Sequence, residues 1–190
     1  ISIPLEQRDP EFQALTPHGA VPVLVDDDGT VVFEGTAVLL YLADRFPSAQ
    51  LGPAVGDPKR GDFLKWLAYM TNTHQIAMQI YFMPDRFTTS ASGHDDITAK
   101  GIERLDESWR LIDATCAAPG PYLLGETFSV CDLHLQMLTL WHRDSAAMRA
   151  RYPHVKRCAE LVEQRPAVQR IMKDHGPDWD AHYPDFPGPP

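Results

Sequence analysis

The sequence predicts a small α/β unit followed by an all-helical bundle, and three observations carry that assignment. Two short β-branched runs, Val23–Val25 and Val31–Phe33, flank an Asp-Gly turn and lead into a helix that ends near residue 46. A stretch of small residues with a proline, 48–56 (SAQLGPAVG), separates this unit from the rest of the chain. Beyond residue 57 the apolar residues recur at helical spacing. At 190 residues the chain can form one large domain or two small ones with a buried core. The boundaries read from these features are 1–47 and 57–190.

In chain order, residues 1–5 read as a short strand and 9–15 as a helical turn or loop. Pro22 stands immediately before the first strand of the hairpin, where a missing N–H is tolerated. A cis Val21-Pro22 bond there would turn the main chain of Val21 outward as a free hydrogen-bonding pair. Glu34-Gly35-Thr36 opens the following helix, whose first N–H groups have no partner within it and suit an anion. Phe46-Pro47 closes that helix, because proline disfavours helical geometry in the residue before it. A hairpin with a packing helix and no ligand reads equally well from these residues.

The second unit opens at Asp57-Pro58, with Asp as N-cap and Pro at the first helical position. From there to residue 82, Phe63, Leu67, Met70, His74, Ala77 and Tyr81 form one stripe. Trp66, Tyr69, Thr73, Ile76 and Ile80 form a second beside it, so this helix is packed on two sides. Met83-Pro84 stops it, and 88–93 (TTSASG) is a polar loop. The next helix, about 95 to 117, carries Ile102, Leu105, Trp109, Ile112 and Cys116 at heptad-like spacing. After a break at 119–121 (PGP), Ser129 and Asp132 have the spacing of a capping box, with Asp in place of the usual Glu or Gln. Leu133, Leu135, Met137, Leu138, Leu140 and Trp141 point all round the next helix, which makes it the central one. Two shorter helices over 153–164 and 166–173 complete a bundle of about five, and a proline-rich tail starts at Gly176.

Composition excludes several functions. A net charge of −9 and a pI near 5.2 argue against a nucleic-acid or anionic-membrane surface. No apolar run is long enough to cross a bilayer and no signal peptide is visible, so a cytoplasmic location is expected. Cys116, Cys131 and Cys158 are odd in number and far apart, which suits core cysteines in a reducing compartment. The histidines include no His-x-x-x-His pair, and His74, His134 and His142 read as interior residues. Asp26, Asp27 and Asp28 sit on a hairpin tip without EF-hand spacing and read as solvated. No metal site is expected. Gly-x-Gly-x-x-Gly, P-loop and Gly-x-Ser-x-Gly motifs are all lacking.

The run Thr16-Pro17-His18-Gly19-Ala20-Val21-Pro22-Val23-Leu24, followed by Phe33-Glu34-Gly35-Thr36-Ala37-Val38, resembles the glutathione-binding half of the cytosolic glutathione S-transferase family, in its bacterial type. The Ser129-x-x-Asp132 helix start and Arg165-Pro166-Ala167-Val168 extend the resemblance through the helical half. It implies a partial thioredoxin-like N-terminal unit, an all-α C-terminal bundle and glutathione as co-substrate. Val21 would pair its main chain with the cysteinyl unit of glutathione beside the cis Pro22. Gly35 and Thr36 would hold the γ-glutamyl carboxylate on bare N–H groups, with Glu34 near the amino group and His18 near the glycyl carboxylate. The thiol, its pKa lowered, would attack a small hydrophobic electrophile. Such transferases work as homodimers in detoxification.

Two features depart from the family pattern. Gly35 stands where the family has serine. The family's first strand and helix, which carry the thiol-activating serine, tyrosine or cysteine, have no counterpart in this sequence; a preceding segment that holds the catalytic residue is expected, the alternative being a protein that lacks this unit. Three functional readings are open on these grounds. The first is a glutathione transferase or related thiol-dependent enzyme, and the second is a non-catalytic transferase-fold protein used for binding or assembly. A glutathione-dependent protein with one dedicated biosynthetic substrate is the third.

Overall fold

The structure is a computed structural model, and it describes residues 10–16, 18–117, 120–142 and 144–175. The strand expected over 1–5 and the proline-rich tail lie outside these residues. Helix α1 spans Pro10–Leu15, a short helix where the sequence suggests a single turn or loop. Strands β1 (Val23–Val25) and β2 (Val31–Phe33) pair antiparallel with Val23 opposite Phe33 and Val25 opposite Val31. Their loop closes through Gly29 N–H donating to Asp26 O at 2.9 Å, with Gly29 at φ 85. Helix α2 comes next, at Gly35–Arg45.

Asp26 departs from the expectation of a solvated tip. Its carboxylate accepts from Tyr41 Oη at 2.5 Å and from Arg45 Nε at 3.0 Å, and so fastens the hairpin loop to α2. These donors, Tyr41 first, hold its pKa below the ordinary carboxylate value. Asp28 instead closes the loop locally, accepting from Thr30 N–H at 2.9 Å.

The long helix is one continuous body in three parts: α3 (Arg60–Tyr69), a π-helical stretch (Met70–Gln75) and α4 (Ile76–Phe82). It starts two residues later than Asp57-Pro58 suggests. Asp57 instead caps a preceding turn, its Oδ1 accepting from Lys59 N–H at 2.7 Å. The first stripe is the buried one: Phe63, Leu67, Met70, His74 and Ala77 are all at most 2% exposed. In the second stripe only Trp66 is fully buried. Helix α5 (His94–Ala117) runs antiparallel to it, because His74 meets Ser108 while Tyr81 meets Gly101. The two helices touch so closely that a Cβ on Gly101 would lie 2.6 Å from the Tyr81 nitrogen. Ile102 is a correction to the predicted core stripe of α5, since it is 49% exposed.

Helix α6 (Val130–Leu140) is central as expected, with eight of its residues buried. Its capping box is present in full, with each of the Ser129 and Asp132 side chains accepting from main-chain N–H at the helix start. Helices α7 (Ser145–Arg151), α8 (Pro153–Glu163) and α9 (Pro166–His175) complete the bundle. Helix α7 was not legible in the sequence. Counting 60–82 as one, the described residues of this half thus hold six helices where about five were expected. All three cysteines are free and fully buried.

Segment 48–56 is docked against the helical half. Leu51 O accepts from Val130 N–H at 2.8 Å, and Pro53 O accepts from Arg60 Nη1 at 2.8 Å. Arg60 also forms a two-point ion pair with Asp44 of α2, at 2.8 Å for each contact. These contacts set the position of α2 against the helical half.

Candidate functional site

The residues singled out in the hairpin and at the start of α2 converge. The Val21-Pro22 peptide is cis, and Val21 is 71% exposed. Among the described residues, none is hydrogen-bonded to the Val21 main chain. Pro22 packs beside the helix start: a Cβ built on Gly35 would lie 3.6 Å from Pro22 Cγ. The first bond within α2 runs from Val38 N–H to Glu34 O at 2.9 Å. The N–H groups of Gly35, Thr36 and Ala37 are therefore without an acceptor inside the helix, at its positive dipole end.

Glu34 is the residue that turns the chain from β2 into α2, and it does so at φ 72, ψ 119. A non-glycine residue at positive φ costs about 1–3 kcal/mol, and such residues cluster at ligand clamps. Gly35 itself does not need its conformational freedom, because its φ lies outside the left-handed region. The glycine therefore leaves open space without relieving strain. His18 is exposed and lies in a turn closed by Gly19 N–H donating to Thr16 O at 3.1 Å. Its part in the site rests on the resemblance alone.

Two features here had no signal in the sequence. The Thr36 hydroxyl is hydrogen-bonded to the Thr71 hydroxyl, so a side chain of the helical half reaches the start of α2. Thr71 also donates to Leu67 O at 3.2 Å and lies in the π-helical stretch. Single π-turns inside α-helices are frequent at functional sites because the extra residue re-aims side chains. Thr71 donates to Leu67 O, so Thr36 donates its hydroxyl proton to Thr71 and has only its N–H left as a donor for a ligand. The exposed main-chain pair at Val21 can extend an added strand, and the helix start beside it can hold a carboxylate.

Residues 1–45 match the family model for the glutathione S-transferase N-terminal domain. Glutathione S-transferase GstA of Escherichia coli O157:H7 is 27% identical over 177 residues, covering 90% of this chain and 81% of that protein. A glutathione transferase homologue from sulfitobacter, solved with bound glutathione, superposes with a TM-score of 0.77 at 27% identity and covers 88% of this chain and 79% of that one. A sphingomonad glutathione S-transferase complexed with glutathione is 31% identical, with a TM-score of 0.75 over 87% of this chain and 79% of that one. The chain belongs to the glutathione S-transferase family. Within that family, its α2 start and cis-proline step occupy the N-terminal domain, and α3 to α9 form the helical half.

Proposed function

We propose that this transferase binds glutathione at the junction of Val21-Pro22 with the start of α2 and delivers the thiol to a small hydrophobic electrophile. The observation that carries the proposal is the adjacency of the exposed cis Val21-Pro22 step to a helix start whose Gly35, Thr36 and Ala37 N–H groups have no acceptor inside the helix. Glutathione is a tripeptide with two carboxylates, so an extended backbone and a helix N-terminus match its parts. Glu34 lies beside the amino group of the γ-glutamyl unit in this arrangement, and His18 beside the glycyl carboxylate. The protein acts as a cytoplasmic detoxification enzyme.

Gly35→Ser tests the carboxylate site. A Cβ fits at ordinary contact distance from Pro22, and the new hydroxyl adds a hydrogen bond to a charged group. The cleft is open to water, so the gain sits at the low end of about 1.5–3 kcal/mol, roughly tenfold in affinity by calorimetry. Unchanged or weaker binding would mean the carboxylate is held elsewhere. It would favour the reading of a binding or assembly protein, to which the lost serine hydroxyl also points.

The active form is a homodimer. Tyr69, Thr73, Ile76 and Ile80 form a half-buried second stripe on the long helix, and Leu64 and Leu111 are large apolar side chains over 40% exposed. Light scattering at micromolar concentration should give about twice the 21.3 kDa chain mass. A monomer would remove this part of the proposal.

A further inference from the structure

We infer a second ligand site in the helical half, a pocket for a one- or two-ring aromatic carboxylate between α4, α5 and α7. The pocket has a volume of about 250 Å³, and none of its lining residues belongs to the hairpin, to α2 or to the π-helical stretch. Pockets for drug-sized ligands measure roughly 300–1,000 Å³, so the occupant here is smaller. The walls are apolar and aromatic: Tyr81 from α4, Leu105 and Trp109 from α5, Met148 from α7, and Tyr152 after it. The Trp109 and Tyr152 rings are stacked with centroids 6.2 Å apart. Ile102 also lines the pocket and is 49% exposed, although its heptad-like position predicts burial. A large apolar side chain left open beside a concave aromatic wall is a feature that a flat ring would cover.

The rim supplies the charge preference. Asp106 accepts from Tyr152 Oη at 2.6 Å and pairs with Arg151 Nη2 at 2.6 Å and with Arg110. Two guanidinium groups therefore meet one carboxylate, which leaves a local excess of one positive charge in a chain of net charge −9. Arg151 lines the pocket with its side chain 62% exposed. A guanidinium has five N–H donors and Asp106 takes only part of them, so a carboxylate at the mouth finds a fork of matching geometry. Aromatic walls with a cationic rim select an aromatic monoanion over a neutral or cationic ring.

The site does not depend on the glutathione reading, and its test is calorimetry on the whole chain with 2-naphthoate as the probe. Saturable micromolar binding is expected, unaffected by millimolar glutathione, and about tenfold weaker for the neutral 2-acetylnaphthalene. Ile102→Trp fills the mouth from an exposed position and should abolish binding while leaving the melting temperature and glutathione-dependent activity unchanged. Arg151→Gln should weaken naphthoate about tenfold and leave the neutral compound unaffected. No saturation at millimolar naphthoate, competition by glutathione, or full binding by Ile102→Trp would overturn the site. Equal affinity for the neutral compound would overturn the assignment of an anion. A change in molecular mass by light scattering in Ile102→Trp would show that a second copy covers the pocket instead.

Discussion

The Asp132 carboxylate has no solvent exposure and accepts from Leu123 N–H at 2.9 Å, from Ser129 N–H at 2.8 Å and from the Ser129 hydroxyl at 3.3 Å. Burial raises its pKa to about 6, against the pull of those donors. Replacing it by alanine orphans two buried N–H groups at once, each costing about 1–3 kcal/mol. Asp132→Ala should therefore lower stability by roughly 3 kcal/mol, read as a drop in the urea midpoint with an unchanged slope. Asp132→Asn keeps one acceptor oxygen and should lose less. The capping-box spacing announced this pair, but the bond to Leu123, nine residues upstream, belongs to the fold.

At the scale of elements, the tightest contact is between α4 and α5. Gly101 lets α5 approach the Tyr81 backbone, and a methyl group there would sit 2.6 Å from the nitrogen and 2.8 Å from Cα. Backbone cannot rotate away as a long side chain can, so the helices must separate. Gly101→Ala gains about 1 kcal/mol of helix propensity but loses more to overpacking. A net loss of about 2 kcal/mol in chemical denaturation is expected, and a stabilised variant would show that the helices already stand apart in solution. The long helix that ends in α4 also contains the π-helical stretch, and its Thr71 is the hydroxyl that reaches α2. Nothing in the spacing of 60–82 distinguishes a π-turn from a regular helix, because both stripes continue through it.

Across the whole molecule, buried groups of opposite sense contribute to acid stability. His74 is fully buried, with Nδ1 held by Ser108 Oγ at 2.6 Å and Nε2 unpartnered. Burial lowers its pKa to about 3 and that of His134 to about 4. Both are neutral in the fold and gain protons only in the unfolded chain, so their stability is lost as pH falls below about 6.5. Asp132 works the other way, since its folded pKa is raised and acidification through about 6 relieves its cost. From pH 7 to pH 5 the two histidines lose about 2 kcal/mol each and Asp132 returns about 1, a net loss of roughly 2–3 kcal/mol. Urea midpoints measured across that range should fall. In His74→Gln the fall should be smaller, and an unchanged slope with pH would show that His74 is not the group responsible.

Local and periodic features are written in the sequence. Val23–Val25 and Val31–Phe33 flank a turn, Ser129 and Asp132 bracket a helix start, and Phe63 to Ala77 mark a buried stripe, because each signal is written within a few residues. The residues proposed to bind glutathione, Val21, Gly35 and Thr36, stand close in the chain for the same reason, as an ordered motif on one hairpin and one helix. Tertiary structure alone decided which of these groups are free. Asp26 looked solvated until Tyr41 and Arg45 closed on it, and Ile102 looked buried until the bundle left a pocket at its position. The Thr36 hydroxyl is committed to Thr71, 35 residues away. Periodicity fixes which face of a helix is apolar, whereas what meets that face depends on how distant segments pack, and no local pattern encodes that distance.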